Sequence, residues 1–158
     1  MTKSTEIFFA LLRLGINDNQ SENYSALVNA EATDWEQLYA LSVRQGTGLL
    51  AYGGMQYAPI EIQPPRKLKL RWCANVIKGS ERFDHHKLTI AKLSDILAGS
   101  GIDMLVVKGV TTARLYPVPS YREGGDIDIY LFGKAGQTDR LLSSIGINFD
   151  HHIAKHSS

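Results

Sequence analysis

Apolar residues recur at intervals of three and four along residues 1–63, which is the spacing that places side chains on one face of a helix. The pattern predicts helices over residues 5–14, 25–30, 35–45 and 48–56. Asp34 precedes the third of these helices and Gln37 follows three positions later, an order typical of a helix cap. Since this region groups no catalytic residue types, we interpret it as packing.

A longer helical pattern begins after Pro64 and Pro65, a pair that suits the start of a helix. It covers residues 66–98, and apolar side chains follow it in one stripe at alternating spacings of four and three. Gly79 lies within the stripe, where a residue without a Cβ allows a second helix to approach closely. This helix is the predicted spine of the protein.

The pattern changes after Gly99, from helical spacing to short apolar runs separated by glycine and proline. The runs predict strands over residues 102–107, 126–131 and 147–153 and helices over residues 111–116 and 138–145. We therefore predict an α/β protein of the α+β type, in which the helices pack on a small mixed β-sheet. It would comprise an N-terminal helical region, 1–63, and a second part, 64–158, within one compact unit.

Two aspartates alternate in the second predicted strand, Gly124-Gly125-Asp126-Ile127-Asp128. Successive side chains of a strand point to opposite faces, so both carboxylates would share one face. Neighbouring carboxylates repel each other, and a divalent cation compensates that cost, because Mg²⁺ prefers oxygen ligands. The preceding glycines allow a phosphate or another backbone to come near. The alternative is that both aspartates lie on the wet face of an edge strand.

The order of motifs around these aspartates resembles that of the DNA polymerase β-like nucleotidyltransferase superfamily, in which a strand ending in a glycine turn precedes a helix and a strand with Asp-x-Asp. More narrowly, it is similar to a bacterial family of uncharacterised nucleotidyltransferases. The turn is Gly109-Val110 where the superfamily usually has Gly-Ser or Gly-Gly. The matching motifs are, in order, Val107-Lys108-Gly109, Leu115-Tyr116-Pro117, Arg122 and Gly125-Asp126-Ile127-Asp128.

The resemblance implies transfer of a nucleoside monophosphate from a nucleoside triphosphate, with ATP expected, to a hydroxyl-bearing acceptor that the sequence does not identify. Asp126 and Asp128 would hold two Mg²⁺ ions, with Mn²⁺ as the alternative metal. The backbone at Gly109 and Val110, together with Gly125, would approach the phosphates.

Two basic residues lie close to these motifs. Arg122 suits bidentate contact with phosphate oxygens. Lys108 either adds positive charge beside the phosphates or pairs structurally with an acid such as Glu123, and the sequence leaves both interpretations open.

The superfamily uses a third acidic residue on a later strand, and this chain has no clear counterpart. Asp150 precedes the position where the resemblance would place it. We therefore expect the chain to be the front part of a longer protein or a shortened relative. The alternative functions are a non-catalytic nucleotide-binding, metal-binding or regulatory domain, and a helical interaction protein. The His151, His152 and His156 cluster is either a metal site or a set of surface residues.

Three features of the long helix also have alternative interpretations. His86, on its apolar side, is predicted to be a core histidine satisfied by a hydrogen bond, with metal ligation as the alternative. Cys73, the only cysteine, excludes an internal disulfide and is interpreted as a buried, inert thiol. A basic face is either solvated or attracts phosphate or RNA, and it comprises Arg66, Lys67, Lys69, Arg71, Lys78 and Arg82.

The amino-acid composition restricts the class of protein but does not identify a binding partner. A hydrophobic fraction of 44% with 21% charged residues is ordinary for a globular protein and excludes disordered and collagen-like chains. A net charge of +1 indicates no overall attraction to nucleic acid or to anionic membranes. No apolar run approaches the roughly 20 residues that span a bilayer, and the N-terminus lacks the order of a signal peptide. We therefore expect a cytoplasmic protein.

Overall fold

The computed structural model describes residues 3–16, 21–28 and 32–147. These ranges are mostly helical, with one small sheet. The α-helices are α1 (Lys3–Gly15), α2 (Ser21–Val28), α3 (Ala32–Arg44), α4 (Gly48–Met55), α5 (Arg66–Gly99), α6 (Val110–Ala113) and α7 (Ala135–Ser144), and the strands are β1 (Leu105–Val106) and β2 (Ile129–Tyr130). The α+β class is as predicted.

The four predicted N-terminal helices are confirmed, with α2 beginning four residues earlier than expected. The predicted cap at Asp34 is wrong, because α3 begins at Ala32 and Asp34 lies within its first turn. There its carboxylate lies 3.4 Å from the Lys3 ammonium, and a negative charge in a first turn is favourable. Gln37 accepts a hydrogen bond from the Ser4 hydroxyl and thereby links α3 to α1.

Helices α1 and α4 cross at two glycines. A Cβ atom built on Gly54 would overlap the backbone carbonyl of Leu11, and one built on Gly15 would overlap the carbonyl oxygen of Leu50. Leu11 and Leu14 are fully buried at this crossing. The absence of two side chains therefore allows these helices to pack backbone against backbone.

Helix α5 was predicted over residues 66–98 and is confirmed over Arg66–Gly99. It packs along α4, where a Cβ atom on Gly79 would overlap the Leu49 side chain, so the predicted close approach of a second helix is also confirmed. Trp72 is fully buried in a hydrophobic cluster to which α1, α2, α3 and α4 also contribute. The division at residue 63 stays a prediction, and this core uses residues from both sides of it.

Trp72 connects α5 to the first turn of α4. Its indole Nε1 donates a hydrogen bond to the Gly48 carbonyl oxygen at 2.7 Å, and its ring makes edge contacts with Trp35, Tyr39 and Tyr52. We expect Trp72→Phe to lower the free energy of unfolding by about 2–3 kcal/mol, through the lost hydrogen bond and the partly empty space. Urea unfolding followed by circular dichroism measures the change, and a loss below about 0.5 kcal/mol would contradict the proposed contribution of the indole.

The sheet is smaller than predicted. The described chain has two antiparallel strands, pairing Leu105 with Tyr130 and Val106 with Ile129, instead of a mixed sheet. The expectation of a buried strand over residues 102–107 is wrong, because Leu105 is 51% exposed and β1 ends at Val106. Burial is concentrated just before β1, at Ile102, which is 3% exposed.

The aspartates precede β2 and do not lie within it as predicted. Gly109 has a positive φ of 71°, which turns the chain after β1 and leaves residues before Asp128 without a strand to pair with. Only the Val107 N–H extends the pairing, donating to the Asp128 carbonyl oxygen at 3.0 Å. The arrangement of carboxylates on alternate positions of one strand is therefore not the geometry of this segment.

The last described helix, α7, begins three residues before the predicted start at 138. Leu142 and Thr138 are buried, whereas Ile145, predicted to point inward, is 51% exposed. The predicted strand over 147–153 lies outside the described residues except for its first position. Among the described residues, no helix has both the length and the apolar character that a membrane span needs.

Candidate functional site

The Gly109 turn lies against the acidic segment. A Cβ atom on Gly109 would be 3.5 Å from the Asp126 carbonyl oxygen, so the two backbones pass side by side. Two residues away, the Val107 N–H is bonded to the Asp128 carbonyl oxygen. The pairing of β1 with β2 therefore places the aspartates beside the glycine turn, although most of the acidic segment is outside the strand.

Lys108 pairs with one of the aspartates. Its Nζ lies 3.3 Å from the Asp128 Oδ2, with 64% of the lysine side chain and 37% of the aspartate side chain exposed. This contact agrees with the interpretation that Lys108 pairs with an acid, but the acid is Asp128 and not Glu123, whose carboxylate binds the Leu49 N–H. Asp126 is exposed, and Asp128 is half-buried.

Glu123 binds the start of α4. Its Oε1 accepts a hydrogen bond from the Leu49 N–H at 2.7 Å, and the residue before the helix, Thr47, supplies no side-chain cap. The first N–H groups of a helix have no partner within the helix, and a carboxylate there also complements the helix dipole. Glu123 therefore acts as a cap from 74 positions away in sequence.

Loss of this cap should be measurable as a loss of stability. We expect Glu123→Ala to lower the free energy of unfolding by about 1–2 kcal/mol, and Glu123→Gln to lower it by less, since the amide oxygen still accepts a hydrogen bond. Glu81→Ala, at an exposed position of α5, is the matched control and should change stability little. Equal urea midpoints for Glu123→Ala and Glu81→Ala would show that the cap contributes nothing.

The loop before Glu123 is attached to α4 and α5 at two further points. The Tyr121 ring packs against Gly53, where a Cβ atom would lie 3.0 Å from the ring carbons. The Ser80 hydroxyl of α5 donates to the Ser120 hydroxyl at 3.1 Å. Burial raises the pKa of Tyr121, and the neighbouring Cys73 raises it further, so the phenol stays neutral at this junction. Arg122 thus lies between two anchored residues.

A small cleft, open to solvent, lies between α5 and the glycine turn. Its helical wall is formed by one face of α5, and the opposite wall is formed by the turn and the loop. From the sequence-predicted site, the cleft brings together Gly109, Val110 and Arg122. The residues that line the α5 wall are Gly79, Arg82, Phe83 and His86.

The other predicted site residues lie outside the cleft lining. Gly124, and not the predicted Gly125, lines the cleft, and the space around Gly125 is open. Asp126 and Asp128 are absent from the cleft lining: the Asp126 backbone lies beside Gly109, and the Asp128 carboxylate pairs with Lys108. Gly109 belongs to both places, since it lines the cleft and also contacts the Asp126 backbone. The site therefore has an acidic part and a cleft part that meet at Gly109.

Comparison with protein families matches residues 31–158 to a family described as uncharacterised nucleotidyltransferases. The chain belongs to this family. Membership supports a general nucleotidyltransferase role and implies a nucleoside triphosphate as substrate. The match includes the glycine turn, the loop with Arg122 and both aspartates, so the whole candidate site lies within the family region. Comparison with curated proteins and with solved structures found no match.

Three residues of α5 were not identified as site residues from the sequence. Arg82, Phe83 and His86 follow Gly79 at three, four and seven positions, a spacing that places all of them on one helix face. That spacing was a usable signal, but it could not show what the face would meet. The prediction of a core histidine is wrong for His86, which is half-buried in the cleft wall.

Cys73, also on α5, is half-buried and not fully buried as predicted.

The donor groups near the turn are two carboxylates with access to solvent, those of Asp126 and Asp128. Within residues 3–16, 21–28 and 32–147, no group of three or more acidic, histidine or cysteine side chains is placed to hold a metal ion. Carboxylate oxygens are donors that suit Mg²⁺ better than Zn²⁺, which favours nitrogen and sulfur ligands. Asp150, His151, His152 and His156 lie outside the described residues.

Proposed function

We propose that this protein transfers a nucleoside monophosphate from a nucleoside triphosphate to a hydroxyl-bearing acceptor, on a polymerase β-like nucleotidyltransferase fold and with Mg²⁺ or Mn²⁺ as cofactor. The observation that carries the proposal is the position of the Asp126 and Asp128 segment against the Gly109 turn. A turn residue without a side chain, beside the backbone of a segment with two aspartates, would let a metal-bound polyphosphate approach the backbone.

Asp126 and Asp128 would hold the cation. Both carboxylates have access to solvent, so water and phosphate oxygens can complete the coordination that two side chains leave open. A bound divalent cation neutralises negative charge that develops on the transferred phosphoryl group and on the leaving pyrophosphate. Lys108 supplies the neutralising charge at Asp128 in the protein alone and would add positive charge beside the phosphates.

Arg122 and the glycine turn would position the phosphates on the other side. Arg122 is half-buried, follows the anchored Tyr121 and lines the cleft with Gly109 and Val110. A guanidinium on a fixed loop is suited to bidentate contact with phosphate oxygens. Phosphoryl transfer depends mainly on positioning and on neutralising charge, and these residues supply both. ATP is the expected nucleotide.

Binding and turnover test this proposal separately. Isothermal titration of the protein with ATP should give heat in the presence of Mg²⁺ and much less in the presence of EDTA. A labelled nucleotide incubated with bacterial lysate fractions and the protein should release pyrophosphate and label an acceptor. No heat with any of the four nucleoside triphosphates, together with no Mn²⁺ binding by electron paramagnetic resonance, would refute metal-dependent nucleotide binding.

A non-catalytic nucleotide-binding domain is the second candidate. It is favoured by one observation, the lack of a third metal-ligating group beside Asp126 and Asp128 in the described part of the chain. Such a domain would bind ATP and Mg²⁺ with the same residues but would not activate an acceptor hydroxyl. Metal-dependent binding without pyrophosphate release would support this candidate over the enzyme.

A further inference from the structure

Two arginines from separate elements line the cleft beside the glycine turn. Arg82 comes from the middle of α5 and Arg122 from the loop that ends at Glu123. Among the residues that the structure describes, neither guanidinium forms a hydrogen bond or an ion pair, whereas Arg71 on the same helix pairs with Glu36 at 2.5 Å. Their donor groups are therefore available to a ligand.

The charge balance of the cleft favours an anion. Its lining includes Arg82, Arg122 and a single carboxylate, Glu123, whose Oε1 is already bonded to the Leu49 N–H. A neighbouring cavity, which shares Arg82 and Glu123, adds Lys78 to the same side. Cations from several elements around a concave surface attract a multiply charged anion more strongly than one exposed arginine does.

We infer that Arg82 and Arg122 form a polyphosphate subsite that holds the β- and γ-phosphates, the part of the nucleotide that leaves as pyrophosphate. This inference rests on the proposed function and adds Arg82, which the sequence analysis placed on a basic face that is either solvated or attracts phosphate or RNA. Gly109 lines the cleft and also lies beside the Asp126 backbone, so in this proposal a triphosphate with its α-phosphate near Asp126 would extend past the turn toward the two arginines. Arg82 is thereby a positioning residue for the leaving group.

The position of Arg82 on α5 gives the subsite a rigid wall. Gly79, one turn earlier, packs on Leu49, and Ser80 is bonded to the loop through Ser120. These contacts set the distance between the helix and the loop that carries Arg122. Because the two backbones are fixed in this way, only the side chains of the two arginines would have to be ordered when pyrophosphate binds.

Inorganic pyrophosphate is the probe that tests the subsite on the full chain. We expect Arg82→Gln and Arg122→Gln each to weaken pyrophosphate binding about tenfold or more in isothermal titration, since a charge-assisted bond to an anion is lost. Arg82→Lys should restore only part of the affinity, because an ammonium lacks the planar pair of donors. Arg66→Gln, at the exposed start of α5, is the matched control and should bind as the unaltered protein does.

The outcomes separate the subsite from the proposed function. Unchanged pyrophosphate binding in Arg82→Gln, equal losses in Arg82→Gln and Arg66→Gln, or no binding by the unaltered protein would overturn the subsite. If ATP with Mg²⁺ binds equally to the unaltered protein and to Arg82→Gln, the subsite fails while the proposed function stands. If pyrophosphate binding depends on both arginines but no Mn²⁺ binds, the subsite stands and the metal-dependent function fails.

Discussion

Replacing Asp128 with asparagine is expected to reduce metal-dependent nucleotide binding and pyrophosphate release by at least about a hundredfold. Loss of a residue that only hydrogen-bonds to a metal ligand already lowers metal affinity about 10–100-fold, so loss of a ligand itself should cost at least as much. Asparagine keeps the shape of the side chain but removes the negative charge that attracts the cation. Asp126→Asn should have a similar effect. Both follow from the proposal that these two carboxylates hold the cation with phosphate and water.

Folding and the proposed metal-dependent activity should respond differently to this change. Asp128→Asn also removes the partner of Lys108, but both side chains are partly exposed, so stability should change by less than about 1 kcal/mol. Asp95→Asn, at an exposed position of α5, is the matched control and should leave binding and stability unchanged.

Mn²⁺ binding by electron paramagnetic resonance and pyrophosphate release are the measurements, with urea unfolding as the check on folding. If both Asp126→Asn and Asp128→Asn bind nucleotide and release pyrophosphate as the unaltered protein does, the cation is not held by these residues.

Gly54→Ala is expected to cause the largest loss of stability from a single methyl group. The added Cβ would overlap the Leu11 carbonyl, a backbone group that cannot rotate away as a flexible side chain can. Helices α1 and α4 would have to separate along a buried contact. We expect the free energy of unfolding to fall by about 3 kcal/mol, at the upper end for overpacking, even though alanine favours a helix more than glycine does.

Gly99→Ala is the matched control for this experiment. It makes the same chemical change within a helix, but a Cβ atom on Gly99 meets nothing within 4 Å. Its stability should stay the same or rise by up to about 1 kcal/mol. Thermal unfolding should place the melting temperature of Gly54→Ala about 5–10 °C below that of the unaltered protein. Similar melting temperatures for Gly54→Ala and Gly99→Ala would show that the helix crossing can relax.

The helices were predictable because their signals lie close together in the chain. The start of α5 after two prolines and its end at glycine depend on backbone properties of those residues, and the stripe between them depends on spacing alone. The strands were less predictable. Strand length depends on how much partner backbone is available, and the turn at Gly109 ends the partner after two paired positions.

The sequence by itself determined the helical part of the fold, the glycine turn and the order of motifs that places the chain among the nucleotidyltransferases, because these depend on neighbouring residues. Only the tertiary structure decided that Lys108 pairs with Asp128, that Glu123 caps a helix 74 positions away and that Arg82 shares a cleft with Arg122. The physical reason is that such contacts depend on how the helices pack. The residues through which α5 meets the loop are far apart in the chain, so their spacing in sequence does not determine their distance in space.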